Sequence, residues 1–175
     1  NSDRRQRQMC IRDSINTYKN QNADVEIILA LNKESDLSGE LKQLSKKISV
    51  IYDSSQKVLA SCNMAIVASG TATLEAAILA KPMVVIYKSN KFSNFILSNF
   101  FLKTKFISLP NILSQEKIVF ELRQNQVSGK EISEKVELTF KNKEVISDKL
   151  SLIRDSLLVT DSNKFSIALR EILAK

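Results

Sequence analysis

The sequence predicts an α/β fold: a doubly wound, Rossmann-like parallel sheet with a helical tail. Three observations carry this. From Asp24 to Ile86, short apolar runs alternate strictly with amphipathic or Ala-rich stretches, the pattern of strands joined by crossover helices. Residues 64–86 form one complete βαβ unit, and such units build parallel sheets with right-handed crossovers. Only three Gly and two Pro punctuate 175 residues, so connections are expected to be short.

The elements follow in order. Ile15 to Asn22 reads as the remnant of a first helix. Asp24 to Leu31 alternates and then turns fully apolar, as a strand entering a core does. Leu37, Leu41 and Leu44 fall at helical spacing, predicting a helix over 38–47. Ile48 to Tyr52 reads as a short strand, and 53–61 as a helix capped by Asp53 or Ser54, with Val58 and Leu59 inward. Met64-Ala-Ile-Val67 is a buried strand, Ala72 to Lys81 a helix ended by Pro82, and Met83-Val-Val-Ile86 the next buried strand. A helix starting near Gln115 is expected to end in Glu121-Leu-Arg-Gln124. Ile132, Val136 and Phe140, then Leu150, Ile153 and Leu157, then Phe165, Ala168, Leu169 and Ile172, space out as three amphipathic helices.

Length fits one domain. Arg4 to Ser14, RRQRQMCIRDS, matches the translated product of a common transposase-based sequencing adapter at every position. Residues 1–14 are therefore expected to be a non-native, adapter-derived segment, with genuine coding from 15 to 175; the alternative is a basic arm for nucleic acid or lipid. Setting those residues aside removes four Arg and two Asp, leaving 22 basic against 17 acidic residues and a net charge of +5 in place of +7. It also leaves Cys62 as the single cysteine, which suits a reducing compartment. No apolar run approaches the roughly 20 residues of a membrane-spanning helix.

Chemistry concentrates at the Ser69-Gly70-Thr71 break between strand and helix. Gly70 permits a sharp turn and close approach of a ligand to the backbone. Ser69 or Thr71 is expected to cap the helix, leaving the N–H groups of Gly70, Thr71 and Ala72 at the positive end of its dipole, a setting suited to phosphate. Glu75 is the only charge between Asn63 and Lys81; side chains on a helix lean toward its N-terminus, so its carboxylate can reach back to accept from a ribose diol. A capped helix with Glu75 on a solvated face is the plainer alternative. Pro110-Asn111 reads by spacing as a turn, with the Asn111 amide able to donate and accept.

Tyr87 to Phe106 holds six of the eleven aromatics, four Lys and no acid. Phe92 and Phe95 lie on one helical stripe, which Phe100 and Phe101 widen. Such a segment either lies in a membrane interface near anionic lipid or forms a core helix with Lys at its rim. Nucleic-acid binding is not favoured, because no groove-reading or base-stacking motif accompanies the basic and aromatic residues.

The strings SGTATLEAAILAKPMVVIYK, KTKFISLPNIL and ELRQ together resemble, in order and spacing, the C-terminal half of lipid-A-disaccharide synthases, GT-B glycosyltransferases of Gram-negative bacteria. The resemblance runs from about Val25 to Gln124, with a looser helical tail. It implies the C-terminal, nucleotide-sugar-binding half of a GT-B fold, with the N-terminal acceptor domain absent from this chain. It implies transfer of a sugar from UDP-2,3-diacylglucosamine to 2,3-diacylglucosamine 1-phosphate, releasing UDP, with no cofactor and no metal. Ser69, Gly70 and Thr71 would hold the diphosphate and Glu75 the ribose. Asn111 would line the domain cleft as the catalytic and donor-positioning amide, while Glu121 and Gln124 would face the cleft. The strand and helix around Tyr52-Asp53 would help wall the uracil pocket, although by position Asp53 reads as a helix cap. The family's general base belongs to the other domain, and its Gly-Ser-Arg motif would precede residue 15. Phe92, Phe95, Phe100 and Phe101 become membrane or acyl contacts, on a cytoplasmic protein peripheral to the inner membrane; a homodimer is also expected among its partners. Two other readings stay open: a different UDP-sugar GT-B transferase, and a non-catalytic UDP-binding or membrane-associating module.

Overall fold

The computed structural model describes residues 2–21, 24–31, 42–43, 45–88 and 105–159. The element order is α1 (Ser2–Gln21), β1 (Ile28–Leu31), β2 (Ser49–Tyr52), α2 (Ser55–Ser61), β3 (Ala65–Ala68), α3 (Thr71–Ile78), β4 (Met83–Tyr87), α4 (Leu109–Ser114), β5 (Phe120–Arg123), α5 (Gly129–Lys141) and α6 (Lys143–Val159), with a 3-10 turn at Gln124–Gln126.

Every described strand pair is parallel. β1 pairs with β2, and β3, β4 and β5 form a second ladder in that order. The single sheet expected from the sequence is thus two ladders, with no ladder hydrogen bond joining them among the described residues. Helices cover both faces of the three-stranded ladder, because alternate side chains of a strand point to opposite faces. Met83 and Val85 join Val67, Val119, Ala76, Ala77, Ile146, Leu150 and Ile153, burying α3 and α6 on one face. Val84 and Ile86 join Leu122, Val127, Ile132 and Val136, with Ile11 and Tyr18 of α1 packed against them, on the other. Four consecutive β4 residues, Met83 to Ile86, are buried, which is what a central strand covered on both sides requires.

Several local expectations are corrected. α3 stops at Ile78, ahead of Lys81. Ala80 takes a left-handed φ of 50°, its N–H donates to Ala77 O, and Lys81 N–H donates to Ala76 O; this is a Schellman stop with Ala where Gly is usual. The helix of 53–61 starts at Ser55 behind Ser54, with no side-chain cap, and Asp53 sits at φ 50° instead of capping. The helix expected to end at Gln124 is absent. α4 comes earlier, stops at left-handed Gln115, and Phe120–Arg123 is a strand, because β4 offers an open parallel edge to an alternating segment. Phe140, expected inward, is 44% exposed beneath the Lys143 ammonium, 4.7 Å from its ring centroid. The strand from Asp24 is regular only over Ile28–Leu31. Of the expected 38–47 helix, residues 38–41 and 44 lie outside the described residues, 42–43 are helical and 45–47 form a turn; the 165–172 helix lies outside the described residues.

α1 runs unbroken through residue 15 and crosses α5 closely. Ser14 and Ile15 are buried, and Ser133 Oγ donates to Ser14 O at 3.3 Å. A Cβ on Gly129 would lie 2.9 Å from Asp13 Cβ and 3.0 Å from Asp13 C, so this crossing depends on a residue with no side chain.

Among the described residues, β5 is the outer strand of its ladder. The ammonium groups of Lys117 and Lys135 lie 5.5 and 5.8 Å from the Phe120 ring centroid. At the opposite side, β3 pairs only with β4 among the described residues, and Ile66 is 37% exposed.

Candidate functional site

The Ser69–Thr71 turn lies at the C-terminal end of β3, where doubly wound sheets place their ligands. Ser69 N–H donates to Ile86 O at 2.9 Å, extending the ladder by one residue. Gly70 is the N-cap of α3, with φ 144° and ψ −160°. That region is essentially closed to side-chain-bearing residues, so the turn needs Gly for its backbone; open space surrounds the place its Cβ would occupy. Neither Ser69 nor Thr71 caps the helix, contrary to expectation. Ser69 Oγ instead donates to Ile107 O at 3.0 Å. Thr71 is exposed at the first helical position. Thr73 N–H makes the first helical bond, to Gly70 O at 3.1 Å. The N–H groups of Gly70, Thr71 and Ala72 have no hydrogen-bond partner among the described residues, as the first donors of a helix do. Glu75, one turn on, is half-buried, and its carboxylate likewise has no partner among those residues.

Behind this open turn lies a saturated polar cluster. Glu121 reaches out from β5 with a side chain only 6% exposed. Its Oε1 accepts from Ser108 Oγ at 2.6 Å, Ser108 N at 2.9 Å, Asn111 Nδ2 at 2.9 Å and Ile107 N at 3.1 Å. Its Oε2 accepts from Arg123 Nη2 at 2.9 Å and Ile107 N at 3.1 Å. Burial alone would raise the Glu121 pKa, but the hydrogen bonds from Ser108, Arg123 and Ile107 outweigh it and hold the carboxyl below its ordinary value. Asn111 is fully buried. Its Nδ2 also donates to Val119 O at 2.9 Å, and its Oδ1 accepts from Ile118 N at 2.8 Å and Val119 N at 2.9 Å.

Asn111 and Glu121 were expected to face a cleft. Asn111 has all four amide positions engaged within the chain, and Glu121 spends both carboxylate oxygens on its own chain. They join the site by fixing the segment 107–111 that packs behind the turn. Gln124 follows β5 directly, at its C-terminal end, in a left-handed conformation with φ 49°, rather than at a helix end. Phe92, Phe95, Phe100 and Phe101 lie outside the described residues. Two residues that sequence reasoning passed over complete the cluster. Thr73 Oγ1 donates to Gly70 O at 2.7 Å and accepts from Leu109 N at 3.3 Å. Ser108 joins Glu121 to the start of α4. The signal for Thr73 was its place in the Ser-Gly-Thr-Ala-Thr string; nothing in the sequence marked Ser108 as facing Glu121.

Two surface depressions lie elsewhere: one of about 280 Å³ walled by Lys19, Glu26, Lys46, Lys47 and Ser49 among others, and one of about 230 Å³ beside Cys62, Lys81, Pro82, Lys143 and Ser147. Neither includes residues of the turn. Among the described residues, no group of three His, Cys, Asp or Glu gathers as a metal site, and no helix is long and apolar enough to cross a membrane.

Several known proteins are similar to this chain in sequence. A lipid-A-disaccharide synthase of Colwellia psychrerythraea is 33% identical over 128 residues, covering 73% of this chain and 32% of its own length. One from Cellvibrio japonicus is 43% identical over 97 residues, covering 55% and 25%. One from Nitrosococcus oceani is 40% identical over 106 residues, covering 61% and 27%. The chain thus spans about a third or less of the length of these curated relatives. The sequence model of the lipid-A-disaccharide synthetases matches residues 2–172, nearly the whole chain, and the chain belongs to that family.

Proposed function

We propose that this chain is the nucleotide-sugar-binding half of a lipid-A-disaccharide synthase and holds UDP at the Ser69–Thr71 turn. The observation that carries the reading is the Gly70 N-cap, which leaves three backbone N–H groups unpartnered among the described residues at the C-terminal end of a parallel strand. Donors fixed at a helix N-terminus meet the negative charge that builds on a departing diphosphate and need no reorganisation as it leaves. Glu75 accepts from the ribose hydroxyls. Gln124, at the end of β5, contributes an amide to the donor sugar or nucleotide. Asn111 and Glu121 act from behind, by holding the backbone that carries the turn.

The donor is then UDP-2,3-diacylglucosamine, the acceptor 2,3-diacylglucosamine 1-phosphate, and the reaction part of lipopolysaccharide synthesis. Phe92, Phe95, Phe100 and Phe101, with the neighbouring lysines, would meet acyl chains or an anionic inner-membrane surface; the amphipathic composition of 87–106 supports this. The base for the acceptor hydroxyl would come from the portion of the relatives that this chain does not match. The expectation for residues 1–14 stays a proposal on the same footing: that they are adapter-derived.

The test is a calorimetric titration of the chain with UDP, with ADP as control, beside an assay for disaccharide. UDP binding without product is the expected result. Equal binding of UDP and ADP, or no binding, would sink the nucleotide assignment; disaccharide formation would sink the claim that the base lies elsewhere. Gly70→Ala should weaken UDP binding and cost about 1–3 kcal/mol of stability through backbone strain alone.

A further inference from the structure

We propose that Thr73 is a positioning residue for the anion-binding turn: its buried hydroxyl fastens the Gly70 carbonyl to the start of α4, so the turn is held from behind by the Glu121 cluster. The inference rests on the nucleotide reading of the turn and adds a residue which that reading does not use. Thr73 is fully buried. One oxygen makes both contacts, donating to Gly70 O at 2.7 Å and accepting from Leu109 N at 3.3 Å. Leu109 is the first residue of α4, so its N–H has no partner within that helix. Two helix starts thereby share one hydroxyl. Ser108, the residue before, is bound to Glu121 through both N and Oγ, and Ser69 Oγ holds Ile107 O from the other side of the turn. The path from the β5 carboxylate to Gly70 is continuous and, apart from Arg123 on Glu121, uses neutral donors.

A Gly at φ 144° has wide freedom when nothing restrains its carbonyl. Thr73 N–H also donates to that carbonyl, at 3.1 Å; the hydroxyl adds the shorter bond at 2.7 Å and ties the carbonyl to Leu109, fixing with it the plane of the following peptide, whose N–H belongs to Thr71. Removing the hydroxyl while keeping the shape should leave the donors present but disordered, and binding weaker because the ordering must then be supplied by the ligand.

The experiment compares Thr73→Val and Thr73→Ser with the unaltered 175-residue chain by two readouts. One is 15N relaxation at Gly70, Thr71 and Ala72 without ligand; the other is UDP affinity by calorimetry. Thr73→Val is expected to lower the order parameters of these three residues selectively and to weaken UDP about tenfold. Thr73→Ser, which keeps the hydroxyl and loses a methyl, is expected to hold both near the unaltered values even where it lowers Tm. Unchanged order parameters and affinity in Thr73→Val overturn the proposal, as does Thr73→Ser binding as weakly as Thr73→Val. If Thr73→Val does not fold, Thr73→Ser decides: a folded Ser variant with a mobile turn and weak binding overturns it. If the unaltered chain binds no UDP, the nucleotide assignment fails, while the relaxation data still decide whether Thr73 orders the turn.

Discussion

At the scale of single residues, Glu121 shows how a polar side chain can matter to a site without facing it. Its carboxylate is buried yet collects donors from Ile107, Ser108, Asn111 and Arg123. The folded state therefore favours the ionised form and the pKa falls below its ordinary value. The sign of the pH effect follows. A carboxyl with a depressed folded pKa contributes stability that is complete above its unfolded pKa and is lost as pH falls through the folded value. We expect Tm to drop on acidification from pH 5 toward pH 3, and Glu121→Gln to remove part of that slope. At pH 7 the same variant should cost about 2–3 kcal/mol, because an amide N–H₂ would then face donors; chemical denaturation at the two pH values checks both. An unaltered slope would mean other carboxylates dominate acid unfolding. The sequence marked Gly70 and Glu75 because turn-forming and charged residues stand out in an apolar stretch. It did not reveal that Asn111 and Glu121 are turned inward: which way a polar residue faces depends on partners beyond its own element, here 7 to 14 positions away for Ile118, Val119, Ser108 and Ile107.

At the scale of elements, the βαβ unit of β3, α3 and β4 was legible, since its periodicity is local. Its ends were less so. Ala80 in a left-handed stop carries no sequence signature, because the residue that marks such a stop is usually Gly. β5 is harder to read, because Phe120-Glu-Leu-Arg123 alternates over only four residues, too short a run to separate a strand from a helix end; pairing with β4 decides. The contact of α1 with α5 offers a test of the N-terminal segment. Gly129→Ala would place a methyl against the backbone of Asp13, and overpacking of this kind costs about 1–3 kcal/mol. In a chain that starts at residue 15, the obstructing Asp13 is absent, and the same substitution should be neutral. Urea unfolding of the two chains, each with and without the substitution, measures the coupling; equal effects in both would show that Asp13 does not lie against Gly129 in solution.

At the scale of the whole molecule, the sequence announced parallel strands covered on two faces, and the two core clusters deliver that for β3, β4 and β5. It did not announce a sheet divided into two ladders, since strand alternation says which segments are strands and is silent on which neighbours they keep. The two borders of the larger ladder differ in kind. At β5, two lysines stand over Phe120, and charge beside an edge strand disfavours pairing with another chain. At β3, Ile66 is partly exposed and carries no such guard. Light scattering at rising protein concentration should therefore show self-association that Ile66→Lys suppresses and Phe120→Lys leaves unchanged; the reverse pattern would place the contact at β5. In the language of crystal growth, the described part of this ladder has one poisoned edge and one live one, so a strand added to it is expected to be recruited from a single direction.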